Sequence, residues 1–291
     1  MRTRLIRTGF RRRAREERGC AVVLMYHSVS HRRPDRFNIC VDPELFAEQL
    51  QLLRDRFCVV SLAELRSALV GAEPPTRTVA ITFDDGYRDN LLVAKPLLEQ
   101  HGLPATVFVA TGFVGSGRDF WWDELDAVCA AGELPLWPLW EELCALPHQE
   151  RLERLDALWA STGAARPESS STLDRGELER LADGELISLG AHTVSHPHLS
   201  TLPGPQQRQE IEESAAYLTK LVGRPAREFC YPHGDVSPET VALVESAGFE
   251  TACTTRSAPV THGTSPLELP RLPVMNWDAG TLEQELERRL A

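Results

Sequence analysis

The stretch AITFDDGYRDN, residues 80–90, gives the strongest indication of the fold. Its apolar beginning is typical of the end of a buried strand, and Gly86 follows two adjacent aspartates, Asp84 and Asp85. Two like charges side by side are costly unless a cation relieves their repulsion. Because neighbouring side chains on an extended segment point to opposite sides, one aspartate can bind a cation while the other stays free. A helix N-cap with a helix-dipole partner is the alternative, and it explains one aspartate more easily than both.

Short apolar runs alternate with amphipathic helices along the chain, a pattern that predicts an α/β fold built on parallel strands. The predicted strands are 21–26, 57–60, 78–83, 105–110, 186–191, 227–231 and 249–254. Helices are predicted after Asp42, with Pro43 at the first helical position, and over 87–101 and 236–247, each of these two followed by a glycine. A tryptophan-rich stretch at about 112–183 interrupts the alternation and is predicted to be a helical insertion.

The composition is that of a globular domain with an unusual beginning. The chain has 291 residues, 42% of them hydrophobic and 25% charged, and a net charge of −11. Residues 1–18 contain eight arginines and two glutamates, which leaves 23 basic and 40 acidic residues in the remainder. We interpret 1–18 as a basic disordered arm and 19–291 as the folded domain. A body this acidic is a poor general binder of nucleic acid or anionic membrane. A disordered tail is the favoured interpretation of the arm, and contact with a membrane surface or a partner is the alternative.

The sequence shows no apolar run of bilayer-spanning length and no export signal, because AVVLMY at 21–26 is short and lacks a cleavage site after it. Seven cysteines lie at positions 20, 40, 58, 129, 144, 230 and 253, without the spacing of a metal finger or redox motif. We interpret them as buried free thiols in a reducing compartment. These features predict a cytoplasmic protein, located at the inner membrane face if the basic arm binds there.

Side chains that could take part in catalysis or metal binding lie at the C-terminal ends of the predicted strands. They are Asp84 and Asp85 after 78–83, His192 and His196 after 186–191, His27 after 21–26, Tyr231 at the end of 227–231, and Arg271 in LPRLPV. In barrels and open parallel sheets, active sites are built at that edge. We therefore expect these residues to meet in one crevice.

His192 and His196 are four residues apart, and on one helical turn both imidazoles could reach a single ion. Solvated or core histidines are the alternative for such a pair. The double aspartate nearby favours a metal site, since two imidazoles and a carboxylate are typical ligands of zinc or another borderline divalent ion.

Three motifs carry a resemblance to a known family: TFDDG at 82–86, HTVSHP at 192–197 and FCYPHG at 229–234. In order and spacing they resemble the first three motifs of the polysaccharide deacetylases, the NodB-like carbohydrate esterases of family four. The resemblance spans about residues 20–275. It implies a deformed (β/α)7-type, TIM-like barrel with a helical insertion, and metal-dependent hydrolysis of N-acetyl groups on amino sugars. By motif, the resemblance implies Asp84 as catalytic base, Asp85, His192 and His196 as metal ligands, and the backbone amide of Tyr231 as oxyanion donor.

Two parts of the family pattern are displaced. The usual late motif, an apolar strand ending in the general-acid histidine, is missing from the C-terminal region, but VVLMYHSV at 22–29 has its form. This is similar to the family's circularly permuted branch that acts on poly-N-acetylglucosamine, and it predicts His27 as the acid. The arginine of the third motif is also out of place. Arg271 is the predicted substitute and Arg227 its competitor, with a surface position as the alternative for either.

The stretch DFWWDELD at 119–126 supplies the predicted substrate contacts Trp121, Trp122 and Asp123, although core packing of the insertion explains the tryptophans equally well. The expected substrate is an N-acetylated sugar polymer or a lipid-linked glycan. Three alternatives stay open: hydrolysis of another carbon–nitrogen bond in a ureide or cyclic imide, an inactive sugar-binding protein of the same fold, and salt-sensitive nucleic-acid binding through the arm.

Overall fold

The computed structural model describes residues 19–32, 35–71, 76–166 and 171–290, so the predicted basic arm lies outside the described residues. The strands are β1 (Ala21–Tyr26), β2 (Ser28–Val29), β3 (Cys40–Val41), β4 (Cys58–Val59), β5 (Thr78–Phe83), β6 (Ala105–Val109), β7 (Ile187–Ala191), β8 (Glu228–Cys230), β9 (Thr251–Cys253) and β10 (Leu272–Pro273). The α-helices are α1 (Pro43–Arg56), α2 (Leu62–Gly71), α3 (Lys95–His101), α4 (Trp121–Gly132), α5 (Leu136–Cys144), α6 (His148–Thr162), α7 (Arg175–Leu181), α8 (Gly204–Val222), α9 (Pro238–Ser246) and α10 (Ala279–Leu290).

A curled parallel sheet forms the centre of the molecule, with the strand order β10-β1-β5-β6-β7-β8-β9 and β4 beside β5. Every residue of β1, β5 and β6 is buried. Strands that are buried on both faces require such continuous apolar runs, which is why the sequence predicted them. The predicted deformed α/β barrel is confirmed. The short strands β2, β3 and β10 were not predicted, because two residues give no periodic signal.

A short segment after β9 links the two edges of the sheet. Leu269 forms a parallel bridge to Cys253 at the end of β9, and Leu272 pairs with Leu24 of β1. Arg271 lies between these two pairings. Its backbone is therefore fixed from both edges of the sheet.

Three helix ends show recognisable local signals, although α3 begins at Lys95 and not at the predicted residue 87. α1 begins at Pro43, directly after Asp42. Ser61 and Glu64 form a capping box at the start of α2: the Ser61 amide donates to the Glu64 carboxylate at 2.8 Å, and the Glu64 amide donates to the Ser61 hydroxyl at 3.2 Å. Gly102 ends α3 with a φ of +66°, a left-handed conformation that glycine adopts without steric cost.

Helices α4, α5 and α6 lie between β6 and β7 and pack around an apolar cluster of their own. The cluster contains Phe113, Phe120, Trp121, Trp122 and Trp159 among its larger members. The stretch 112–183, predicted as a helical insertion, contains α4 to α7. The limits of the folded domain at 19 and 291 stay a prediction. Among the described residues, no helix has the length and apolarity needed to cross a membrane.

All seven cysteines are free thiols. Cys40, Cys129, Cys230 and Cys253 are buried, whereas Cys58 is exposed. The prediction of a buried thiol is therefore wrong for Cys58, which lies on the short edge strand β4.

Candidate active site

Asp84 and Arg271 form a buried ion pair with two parallel hydrogen bonds. Arg271 Nη1 donates to Asp84 Oδ1 and Nη2 donates to Oδ2, each at 2.7 Å. Arg271 also donates through Nε to the Thr254 carbonyl at 2.9 Å and through Nη1 to the Thr82 hydroxyl at 3.1 Å. Burial alone would raise the pKa of Asp84, but the guanidinium outweighs it and holds that pKa well below its usual range. Asp84 is therefore ionised in the resting site.

Arg227, the other arginine that the sequence offered as a partner for Asp84, lies at the surface. Its side chain is 54% exposed and pairs with Glu250. The structure thus places Arg271, and not Arg227, against Asp84.

Asp85, His192 and His196 bring three ligand atoms to one point. The Nε2 atoms of both histidines lie 3.5 Å from Asp85 Oδ1, and all three residues are buried. His192 Nδ1 lies 2.8 Å from the Cys230 carbonyl oxygen. Because a carbonyl only accepts, Nδ1 carries the proton and the Nε2 lone pair faces Asp85. The two adjacent aspartates therefore have different partners.

The charge states of this triad suit a divalent cation. Burial raises the pKa of Asp85 well above its ordinary value, and the neighbouring Asp84 raises it further. Burial also lowers the pKa of His192 and His196, so both imidazoles are neutral and have lone pairs to donate. A cation would favour the ionised form of Asp85 and coordinate both imidazoles, so these residues could hold a divalent metal.

A second set of potential ligands, Asp84, His192 and Cys230, also lies within 4.8 Å. Here the Cys230 sulfur is 3.0 Å from Arg271 Nη2 and 3.6 Å from Asp84 Oδ2. Burial raises the pKa of the Cys230 thiol well above its ordinary value, so it is protonated. A cation would meet the Arg271 guanidinium, which already binds both Asp84 oxygens. Repulsion between the two charges favours the site at Asp85 instead.

The backbone that carries these ligands is in an unusual conformation. Asp85, Thr193 and His196 have φ angles of +71°, +64° and +56°. Non-glycine residues in this region cost on the order of 1–3 kcal/mol each unless neighbouring structure holds them. The helical turn predicted for His192–His196 is wrong: the two imidazoles converge through an irregular loop that contains two left-handed residues.

His27 and Asp84 leave adjacent strands side by side. Tyr26 pairs in register with Phe83, and the Asp84 amide donates to the Tyr26 carbonyl at 2.9 Å. Asn90 Nδ2 donates to the His27 carbonyl at 2.8 Å and so holds the backbone of that residue. Burial lowers the pKa of His27 to about 4, although Asp84 opposes this shift. His27 is therefore neutral at pH 7 in the resting site.

The backbone amide of Tyr231 is already used in the sheet. It donates to the Cys253 carbonyl at 3.1 Å, continuing the pairing of β8 with β9. This corrects the prediction of Tyr231 as oxyanion donor, because an amide in that ladder is not free to face a substrate. The next N–H along the turn is that of His233, since Pro232 has none. His233 has a φ of +58°, and its ring centre is 4.5 Å from that of His196.

Trp121 and Trp122 lie within the apolar cluster of the helical stretch. Trp121 is 1% exposed and packs under the Arg151 guanidinium, 4.6 Å from the ring centre. This corrects the predicted sugar contact for Trp121, whose faces are covered. Trp122 is 4% exposed, and its ring centre lies 4.7 Å from that of His196. Trp122 therefore packs against His196, one of the candidate metal ligands.

Asp123 joins the loop after β2 to the first turn of α4. Arg32 Nη1 donates to its carboxylate at 2.7 Å, and the Tyr87 hydroxyl is 3.4 Å from the same oxygen. Burial raises the pKa of Asp123 to about 6, against the opposing effect of Arg32. A substrate contact for Asp123 stays a prediction.

Two residues that the sequence did not reveal also hold this site. Asn90 fixes the His27 backbone, and Cys230 contacts both Arg271 and Asp84 through its sulfur and His192 through its carbonyl. Both lie inside stretches that also contain predicted site residues, AITFDDGYRDN and FCYPHG. Their positions there were the only available signal, because neither residue type indicates a metal or acid–base site in isolation.

The sequence matches a known protein family. A family model described as polysaccharide deacetylase matches residues 71–252, more than half of the chain. The chain belongs to the polysaccharide deacetylase family. The match contains both aspartates, both triad histidines and Cys230, while His27 and Arg271 lie on either side of it.

Individual proteins are similar to this chain in sequence and in fold. The chain is 22% identical over 235 residues to Bacillus subtilis YxkH, named as a polysaccharide deacetylase, covering 80% of this chain and 63% of that protein. It is 21% identical over 236 residues to the Escherichia coli poly-β-1,6-N-acetyl-D-glucosamine N-deacetylase, covering 79% and 33%. The Streptococcus pyogenes deacetylase PplD in complex with acetate superposes with a TM-score of 0.69 at 22% identity, covering 92% and 98%. The chain thus spans less than two thirds of the length of these curated relatives, and the structural likeness shows a shared fold.

Proposed function

We propose that this protein is a metal-dependent hydrolase that removes N-acetyl groups from amino sugars of the N-acetylglucosamine type, in a polysaccharide or glycan precursor. The observation that carries the proposal is the division of two adjacent carboxylates: Asp84 is bound by Arg271, and Asp85 faces His192 and His196. Amide hydrolysis by an activated water needs a base and an electrophile side by side, and this pair supplies positions for both. The names of the family and of its relatives support the reaction class.

We propose zinc as the ion held by Asp85, His192 and His196, because one carboxylate and two imidazoles would leave the fourth position of the ion open for water or substrate. When bound, such an ion polarises the acetyl carbonyl and lowers the pKa of the attacking water.

Asp84 is the proposed base and is always ionised at neutral pH. Because Arg271 outweighs burial and holds the pKa of Asp84 low, Asp84 accepts the proton of the attacking water only transiently and passes it on. His27 leaves the neighbouring strand and is neutral at pH 7. It can therefore accept that proton and deliver it to the leaving nitrogen, which departs as an amine only after protonation. Water supplies the hydroxyl of acetate and the proton of the amine, so the reaction balances.

The charge that develops on the acetyl oxygen needs a hydrogen-bond donor. With the Tyr231 amide committed to Cys253, we propose the His233 amide in its place. Loss of one such donor typically costs about 3 kcal/mol of transition-state stabilisation. The permuted position of His27, the polymer acted on and a cytoplasmic location at the inner membrane face stay predictions.

Acetate release tests the proposed function. N-acetylglucosamine oligosaccharides with β-1,6 and β-1,4 linkages are incubated with the protein, with and without a chelator, and free acetate is measured. We expect release that stops with the chelator and returns with zinc, and that disappears in Asp84→Asn. Asp55→Asn, a change at an exposed aspartate, is the control and should leave the rate unchanged. Chelator-insensitive release, or turnover only of a ureide or cyclic imide, would contradict the proposal.

A further inference from the structure

The loop between His192 and His196 is held from one side by a single carboxylate of α8. Glu210 accepts hydrogen bonds from the Val194 amide at 2.8 Å, the Ser195 amide at 2.8 Å and the Ser195 hydroxyl at 2.6 Å. Among the described residues, no other group donates a hydrogen bond to the Glu210 carboxylate, and none forms an ion pair with it within 4 Å. All hydrogen bonds to this carboxylate therefore come from the loop.

The opposite side of the loop is held by the turn after β6. The Thr111 amide donates to the Thr193 carbonyl at 3.0 Å, and the Gly112 amide donates to the Val194 carbonyl at 2.8 Å. The approach is so close that a Cβ on Gly112 would lie 2.7 Å from the Val194 oxygen. The loop thus has its carbonyl groups fixed by one element and its amide groups fixed by another.

Such fixing is needed because the loop is strained. Thr193 and His196 both have positive φ angles, +64° and +56°, and neither is a glycine. Inside the loop, the His196 amide donates to Thr193 Oγ1 at 3.1 Å. Strain of this kind persists only where surrounding structure over-determines the backbone. Without the contacts of Glu210, the loop would relax toward negative φ, and the His196 imidazole would turn away from Asp85.

We propose that Glu210 is a positioning residue for the metal site, which sets metal affinity through the backbone of the ligand loop without touching the ion. The proposal rests on the ion proposed above at Asp85, His192 and His196. A residue that only stabilised the fold would affect unfolding of the metal-free protein, whereas a positioning residue also changes the dissociation constant of the metal. Groups that orient ligands in this indirect way typically change metal affinity by about 10- to 100-fold when removed.

The test is zinc binding by the metal-free protein, measured by competition with a chromogenic chelator. Glu210→Ala should weaken zinc binding by about 10-fold or more. Glu210→Gln should fall between this variant and the unaltered protein, because one amide oxygen can still accept both N–H bonds that now go to Oε2. Saturating zinc should restore turnover to Glu210→Ala, since no group that contacts substrate has been removed.

Glu213→Gln is the matched control. It makes the same chemical change one turn further along α8, at a carboxylate whose hydrogen bond is to Gln209. It should bind zinc within about 2-fold of the unaltered protein, as surface substitutions usually do. Thermal unfolding of the metal-free variants separates stability from affinity, and Glu210→Gln supplies the measurement if Glu210→Ala does not fold.

Equal zinc affinity in Glu210→Ala, Glu210→Gln and the unaltered protein would overturn the role of Glu210, even if the alanine variant melted at lower temperature. That result would leave the proposed function intact, since the unaltered protein would still bind the ion. Failure of the unaltered protein to bind any divalent ion would overturn both proposals.

Discussion

Arg271 binds both carboxylate oxygens of Asp84 at 2.7 Å, although 187 positions separate the two residues in the chain. The contact depends on the segment that links the sheet edges, which fixes Arg271 between its pairings with β9 and β1. It decides the chemistry of the site, because it keeps a buried carboxylate ionised next to a second carboxylate that faces two imidazoles.

Replacing Arg271 should affect stability and activity together. Arg271→Ala leaves the Asp84 charge buried without its partner, and we expect a loss of about 3–5 kcal/mol in the free energy of unfolding. Arg271→Lys keeps the charge but cannot form two parallel hydrogen bonds, so kcat/KM for acetate release should fall by about 100-fold. Urea unfolding and acetate assays measure the two effects. Arg227→Lys is the surface control, and a fully active Arg271→Lys would contradict the role given to the pair.

Substitutions of Asp84 and His192 should have different effects on the metal content of the protein. Asp84→Asn removes the base but no proposed ligand, so we expect turnover to fall by about 1000-fold or more while the bound metal remains. His192→Ala removes a ligand and should lose both metal and turnover. Elemental analysis of the purified variants, together with acetate release, distinguishes the two. Near-normal turnover by Asp84→Asn would show that the base has been assigned to the wrong residue.

The loss of rate on removing His27 should depend on whether the leaving group needs a proton to depart. An amide nitrogen must be protonated to leave, whereas the leaving group of an aryl acetate departs without help. His27→Ala should therefore lose about 100- to 10,000-fold in kcat on an N-acetyl sugar and much less on an aryl acetate. Equal losses on both substrates would argue for a structural role instead.

The lowered pKa of His27 should make the free energy of unfolding depend on pH. Burial lowers its pKa from 6.5 in the unfolded chain to about 4 in the fold. The neutral form is thus favoured by folding, and its contribution is fully present above pH 6.5 and is lost as the pH falls through 4. Because His27 is half-buried, about 3 kcal/mol is an upper bound on that contribution.

The measurement is urea unfolding of the metal-free protein between pH 7 and pH 4, beside His27→Asn. The difference in unfolding free energy between the two proteins should shrink steadily over this range. A difference that does not change with pH would mean that His27 titrates normally in the fold.

The fold could be predicted largely from sequence because parallel strands buried on both faces appear as short continuous apolar runs, as in 21–26 and 78–83. The meeting of Asp84, Asp85 and the two triad histidines followed from their positions after such strands. Arg271 was grouped with these residues, but only the resemblance paired it with Asp84, since an isolated arginine between two prolines gives no local signal.

What the sequence could not show lies mainly in backbone contacts. The Tyr231 amide is committed to Cys253, and the His192–His196 loop is irregular where spacing indicated a helical turn. The residue types alone indicate neither of these backbone features. Glu210 was missed for the same reason, because a glutamate on an amphipathic helix normally faces solvent. Trp121 packs inside the helical cluster, which composition could not separate from a sugar-binding position.

Anomalous diffraction at the zinc absorption edge, from crystals of the metal-loaded protein, tests the central claim most directly. We predict one strong peak about 2.0–2.2 Å from a carboxylate oxygen of Asp85 and from Nε2 of His192 and His196, with Asp84 still bound by Arg271. A peak coordinated by Asp84 and the Cys230 sulfur, or no peak within reach of the two imidazoles, would contradict the account.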